Sequence, residues 1–162
     1  ITKCKELLTK FGGHPMAAGL SLPTENIDLF RAKLNRQQTL TEKELTPVTW
    51  IDVPMPVSYA SKKLVEQLRV LEPFGKGNEK PVFADRKLTV RSANMIGKNK
   101  NVLKMQLEDT HGHVVDAIQF KVEEEDMPLR GKEISIVYYP DINEFRGNQT
   151  LQFIVQEWCY TT

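Results

Sequence analysis

Leu103, Met105 and Leu107 alternate with Lys104, Gln106 and Glu108. A period of two suits a strand with one buried and one wet face, and no helix, so this run commits the second half of the chain to a sheet. Upstream, Val82 to Ile96 reads as one long bent strand, returned by the basic hairpin loop Gly97-Lys98-Asn99-Lys100-Asn101. His111-Gly112 turns the chain again, and Val114 to Phe120 makes a third strand. The acidic piece Val122 to Met127 is expected to form a short helix before Pro128. Ile134, Ile136 and Tyr138 mark the inward face of a fourth strand, and Leu151, Phe153 and Val155 that of a fifth.

Five strands with a helix between the third and fourth is the order of an OB-fold β-barrel, whose strands 2 and 3 and loops 1-2 and 4-5 commonly bind oligonucleotides. Loop 1-2 is Gly97 to Asn101, carrying Lys98 and Lys100. Loop 4-5 is Asp141 to Asn148, which puts Phe145, Arg146 and two amides at the mouth of the barrel. Phe145 can stack a base and Arg146 can grip a phosphate, the way single strands are held without reading their sequence. The residues alone equally allow a plain hairpin with Phe145 tucked over the barrel end and Gly147-Asn148 as its turn.

The first half of the chain reads differently. It opens at Ile1 inside an apolar-periodic stretch, with Lys3 to Lys10 expected to be helical, an opening that suits a piece of a longer protein. Leu20 to Leu22 resembles a strand end. Thr24 is then expected to cap a helix running to about Gln38, with Ile27, Phe30 and Leu34 as its apolar stripe against that strand. From Thr39 to Pro56 prolines punctuate the chain around one extended segment, Val48 to Val53. Ser58 is expected to cap a second helix with Leu64, Val65, Leu68 and Leu71 on one face, ending by Glu72 because Pro73 follows. The turn Pro73 to Asn78 lacks the Gly-Lys-Ser/Thr ending of a nucleotide loop and reads as a structural bend.

Between these elements lies Phe11-Gly12-Gly13-His14-Pro15-Met16-Ala17-Ala18-Gly19, small residues around a single histidine. Paired glycines can leave backbone amides uncovered for a phosphate, and His14 adds a donor. By itself the stretch also fits an ordinary turn beside a satisfied histidine. Net charge is +1, but it is segregated. Residues 76 to 104 hold eight basic and two acidic groups, a local excess of +6, while residues 105 to 162 hold four basic and eleven acidic groups, or −7. Such an excess suits a phosphate backbone, and equally a solvated sheet edge guarded by lysines.

Gly12-Gly13-His14-x-x-Ala17-Ala18-Gly19 resembles the glycine-histidine signature of the DHHA1 domain of DHH phosphoesterases. With Phe11 and Pro15 the likeness is to the bacterial RecJ single-stranded-DNA exonucleases. Leu71-Glu72-Pro73-Phe74-Gly75-x-Gly77-Asn78 with Pro81-Val82-Phe83, and Asp141-Ile142-Asn143-x-Phe145-Arg146-Gly147-Asn148 with Leu151-Gln152, resemble the same family in the same order. The resemblance implies an α+β chain: residues 1–46 the end of an α/β DHHA1 domain, 47–75 a connecting strand and helix, and 76–162 a five-stranded OB-fold barrel. It implies a parent enzyme that degrades single-stranded DNA from 5′ to 3′ in recombination and repair, using Mn2+ or Mg2+ held outside this chain. Gly12, Gly13 and His14 would face a phosphate near the scissile position, with His14 a stabiliser of the transition state. Phe145, Arg146, Lys98 and Lys100 would hold DNA further along. Small nanoRNases share Gly-Gly-His but have no OB domain, so residues 76–162 argue against them.

No catalytic centre is expected within the chain itself. The Asp-His-His metal core of DHH enzymes is absent from the sequence, and His111-x-His113 fits a solvated turn better than a metal site. The chain is therefore expected to bind single-stranded DNA without cutting it. The alternative is a non-catalytic OB module for a protein partner such as single-stranded-DNA-binding protein. The apolar runs are only a few residues long, so no membrane partner is expected. Two lone cysteines, Cys4 and Cys159, point to a reducing compartment, hence the cytoplasm. A monomer is expected.

Overall fold

The computed structural model describes residues 1–14 and 16–161; Pro15 of the glycine-histidine stretch and Thr162 lie outside them. The chain divides into two compact units, Ile1–Val48 and Thr49–Thr162.

In the first unit the expected opening helix is a 3-10 turn, Thr2–Leu7, and Lys10 already begins a strand. Strands β1 (Lys10–His14) and β2 (Ala17–Ser21) pair antiparallel, setting Gly12 opposite Gly19, Gly13 opposite Ala18 and His14 opposite Ala17. The glycines thus lie in the ladder of a hairpin, and not in its turn. Thr24 does not cap the following helix. It starts a 3-10 turn, Thr24–Asn26, that runs into α1 (Ile27–Gln37), and no side chain caps that helix. Helix α1 is tied to the opening turn: the Cys4 thiol donates to Gln37 Oε1 at 3.6 Å, and Lys33 pairs with Glu6. Its expected apolar stripe against the preceding strand stays largely open, with Ile27 and Leu34 both 40% exposed, because the helix lies chiefly against the turns Thr2–Leu7 and Thr24–Asn26 instead. A short helix not expected from the sequence, α2 (Glu42–Leu45), is held by a capping box in which the Glu44 N–H donates to Thr41 Oγ1 and the Thr41 N–H donates to Glu44 Oε2.

The second unit begins with β3 (Val53–Pro54), parallel to the start of β4 (Phe83–Ile96). Ser58 lies inside a 3-10 turn, Val57–Tyr59. The cap of α3 (Lys62–Leu68) is Ser61, whose hydroxyl accepts the Leu64 N–H at 3.2 Å. The extended Ala60 separates turn from helix, which displaces the start by three residues. Val65 is buried and Leu68 packs on the core, but Leu71 is half exposed, because the helix tightens to a 3-10 turn at Arg69–Leu71 and swings it outward.

Strand β4 bends through two bulges, one between Asp85 and Leu88 against β7 and one between Val90 and Ser92 against β5. It is followed by β5 (Val102–Glu108), β6 (Val114–Phe120), β7 (Glu133–Phe145) and β8 (Asn148–Tyr160). Among the described residues the sheet has six strands in the order β3-β4-β5-β6-β8-β7, and pairing of β4 with β7 closes it into an OB-like barrel. The two-residue β3 is the strand beyond the five expected. The alternation read in β5 is the one that fills the barrel: Leu103, Met105 and Leu107 are fully buried with Leu88, Val90, Ala117, Ile134, Tyr138 and Phe153. The expected acidic helix is a single 3-10 turn, Glu124–Asp126, because four consecutive carboxylates repel one another and Pro128 restricts Met127.

The β5–β6 turn is tied by Asp109. Its Oδ1 accepts the N–H groups of His111 at 2.8 Å and His113 at 2.9 Å, and its Oδ2 lies 3.1 Å from His113 Nδ1. Partial burial opposes the charged carboxylate, but these backbone and ring partners outweigh it and hold the group below the usual aspartate value. Asp109→Ala is expected to cost about 1 kcal/mol at neutral pH. A depressed native value makes this contribution present above the unfolded carboxylate range, near pH 4, and lost as pH falls through the native value. Urea unfolding of the two proteins at pH 7 and pH 3 checks it: their stabilities should converge in acid.

Candidate nucleic-acid interface

Register fixes which side chains share the outer face of the barrel. In antiparallel pairs, residues directly opposite point the same way. Leu103, Met105 and Leu107 point inward, so Val102, Lys104 and Gln106 point outward, and their partners form three rows. The first row is Ile96, Val102 and Phe120; the second Asn94, Lys104 and Ile118; the third Ser92, Gln106 and Asp116. Ile96 and Phe120, not singled out from the sequence, are 38% and 55% exposed. The first row borders the loop between β4 and β5, where Gly97 (φ 85°) and Lys100 (φ 46°) adopt left-handed backbone and the Lys100 N–H donates to Gly97 O at 3.2 Å. Lys98 and Lys100 are both exposed there, and Lys104 stands exposed one row below. Among the described residues none of these three lysines has an ion-pair partner.

The basic stretch 76 to 104 does not come together as one patch. Lys80 lies over the Tyr139 ring, 4.0 Å from its centroid, and 3.9 Å from Asp141 Oδ2, while Arg91 pairs with Glu108 at 3.1 Å. Arg86 and Lys87 sit in the half of β4 that pairs with β7, far along the strand from the lysine loop.

The expected loop from Asp141 to Asn148 is mostly strand. The β7–β8 ladder continues to Phe145 opposite Asn148, leaving a two-residue turn, Arg146 (φ 51°) and Gly147 (φ 78°). That left-handed pair matches the twist of an antiparallel hairpin. Phe145 is not tucked over the barrel: it is 65% exposed at the tip, with the Arg146 guanidinium carbon 5.2 Å from its ring centroid. Lys62 Nζ donates to Gln149 O at 2.5 Å and steadies the hairpin from α3.

The tip and the lysine loop do not share one mouth. Val102, where the loop ends, pairs with Phe120; three residues down β6, Ala117 pairs with Phe153 of the parallel β8; five residues back along β8 lies Asn148. Eight residues of strand path, roughly 26 Å at ~3.3 Å per residue, therefore separate the two.

Within the first unit, Gly12, Gly13 and His14 lie exposed at the end of β1. A Cβ at Gly12 would meet open space, whereas one at Gly13 would stand 2.4 Å from Ala17 O and force the hairpin apart. The strand thus requires glycine at 13, and the imidazole of His14 is presented among small neighbours.

Among the described residues no three His, Cys, Asp or Glu side chains gather as metal ligands. His113 turns Nδ1 to the carboxylate of its own turn. These residues do not offer the donor set of a catalytic metal.

The RecJ OB-domain family profile matches residues 51–157, from just inside the second unit to near the end of β8. The chain belongs to the RecJ family. It is 37% identical over 153 residues, 92% of its length, to the single-stranded-DNA-specific exonuclease RecJ of Haemophilus influenzae, and 31% identical over 160 residues, 97% of its length, to that of Bacillus subtilis. It spans 26% and 20% of the length of those two relatives. Two crystal structures of RecJ from Thermus thermophilus, in complex with Mn2+ and with Mg2+, align over 99% of the chain and 23% and 24% of theirs, with TM-scores of 0.72 and 0.69 at 19% and 20% identity, which establishes the shared fold.

Proposed function

We propose that this RecJ-family chain is the substrate-binding, C-terminal part of a 5′ to 3′ single-stranded-DNA exonuclease of recombination and repair. In this reading residues 1–46 are the end of a DHHA1 domain, 47–75 the connection, and 76–162 the OB domain, working in the cytoplasm in a monomeric parent. The observation that carries it is an OB-like barrel with three lysines, Lys98, Lys100 and Lys104, at one end of its outer face and an exposed aromatic-arginine tip, Phe145-Arg146, at the other. Unpaired cations neutralise phosphates and exposed rings stack bases, so such a surface suits a single strand held without sequence preference. The relatives' activity supports a parent hydrolase, and the Mg2+ and Mn2+ complexes of the Thermus enzyme support a divalent metal there, held outside this chain. At the other unit, Gly12, Gly13 and His14 would meet a phosphate, with His14 donating to a non-bridging oxygen.

The lysines test this reading. The double variant Lys98→Ala, Lys100→Ala is expected to weaken binding of a labelled oligothymidine and to flatten the dependence of log affinity on log salt by about 0.7 for each phosphate no longer neutralised. Fluorescence anisotropy across a salt series measures both. Unchanged affinity and slope would remove DNA from this face, and competition by the acidic tail of single-stranded-DNA-binding protein would then favour a protein partner.

A further inference from the structure

The first row of the outer face has a chemistry of its own. Ile96, Val102 and Phe120 are consecutive cross-strand neighbours, and Ile118 follows in the next row beside Lys104. Isolated exposed apolar residues are ordinary on a protein surface. Here, however, an aliphatic floor runs across β4, β5 and β6 and ends in a half-exposed phenyl ring, with Lys98, Lys100 and Lys104 along its border. The backbone that carries the ring is tied to the lysine loop, because Val122, two residues beyond Phe120, donates its N–H to Asn101 O at 3.2 Å. Two rows below, the lysines give way to a carboxylate: Asp116 sits beside Gln106, while Glu108 further along β5 is neutralised by Arg91. A polyanion is thus attracted to the first two rows and repelled from the third.

We infer that Phe120 is a base-stacking platform, flanked by Ile96 and Val102, on which a single strand lies across β4–β5–β6 with its phosphates on Lys98, Lys100 and Lys104. The inference rests on the single-strand-binding reading above and moves its centre from the hairpin tip to the barrel face. A stacked base needs only a π-face, so this platform is indifferent to sequence. Because Phe145 lies about eight residues of strand path away, ~26 Å, a short oligonucleotide on Phe120 leaves Phe145 untouched, and only a longer one reaches both.

The test is anisotropy with the 162-residue chain and a labelled oligothymidine of about four nucleotides, the short end of OB-fold site sizes and too short to reach Phe145 from Phe120. Phe120→Ala is expected to bind at least roughly fivefold more weakly with an unaltered salt slope, since every lysine still neutralises its phosphate. Phe120→Trp, which keeps a π-face, should retain wild-type affinity, and Phe120→Leu should fall with the alanine variant. Thermal unfolding confirms that all are folded. Phe145→Ala should bind the short oligonucleotide normally and lose affinity only for a longer one. Wild-type binding by Phe120→Ala, or full affinity in Phe120→Leu, overturns the stacking role while leaving the single-strand reading in place. No binding by the unaltered chain overturns both.

Discussion

In the full-length parent, His14→Ala is expected to lower turnover by roughly 10²-fold or more, the loss typical of one oxyanion donor. His14 closes strand β1 opposite Ala17, and its neighbours across the hairpin, Ala17, Ala18 and Gly19, are too small to cover it. Gly12 leaves open space where a side chain would stand, so a phosphate can approach the strand closely enough for the ring to donate to it. A donor to an oxygen that gains charge only in the transition state affects kcat more than KM. The expected signature is therefore a reduced kcat with nearly normal KM, and unaltered oligonucleotide binding by the barrel of the 162-residue variant. Steady-state kinetics on labelled single-stranded DNA measure the split. An unchanged kcat would leave His14 as an ordinary surface histidine, and a loss confined to KM would make it a binding group only.

The sequence disclosed the barrel more clearly than its working face, for reasons that differ from strand to strand. In β5 one set of alternate residues is apolar and the other charged or polar, so inside and outside are distinguishable by inspection. In β6 the residues Val114, Val115, Ala117, Ile118 and Phe120 are apolar on both sets; only the ladder, with Ala117 fully buried, shows that Phe120 points out. The β7–β8 connection misled in the opposite way. Asp141 to Asn148 has a loop's composition, yet twelve residue pairs of ladder run from Ile134 opposite Tyr160 to Phe145 opposite Asn148, and the polar residues decorate an extended hairpin instead of a loop. Gly12-Gly13 was legible as a place of close approach, but two strands of small residues can pair flat as well as turn. The Thr41-x-x-Glu44 capping box was readable in principle, and the prolines around it obscured it. Charge counted along the chain overstated the basic patch, because Lys80 and Arg91 are held by partners distant in sequence.

Removing the ring of Tyr138 is expected to destabilise the barrel by about 3–5 kcal/mol, a large part of what a small domain possesses. Tyr138 is fully buried, with ring centroids 6.0 Å from Phe83 and 5.2 Å from Phe153, so Tyr138→Ala opens a cavity between β4, β7 and β8. Its hydroxyl donates to Met55 O at 2.9 Å, and close by the Val57 N–H donates to Asp85 Oδ2 at 2.8 Å. These two bonds fasten the segment around β3 to the closed sheet. Tyr138→Phe keeps the packing and loses one of them, at a cost of about 1 kcal/mol. Urea unfolding with an unchanged m-value would measure both steps; a cost below about 1 kcal/mol for Tyr138→Ala would show that the core collapses around the gap. Burial, with the nearby Asp85 carboxylate adding to it, pushes the Tyr138 phenol well above its ordinary value. A raised native value means the hydroxyl's contribution is complete below the unfolded phenol value, near pH 10, and is lost as pH rises through the native one. Tyr138→Phe has no proton to lose. Its stability should therefore fall less steeply above about pH 10 than that of the unaltered chain, so that the two approach each other in alkali; parallel curves there would mean that the Tyr138 hydroxyl is not held as a buried donor.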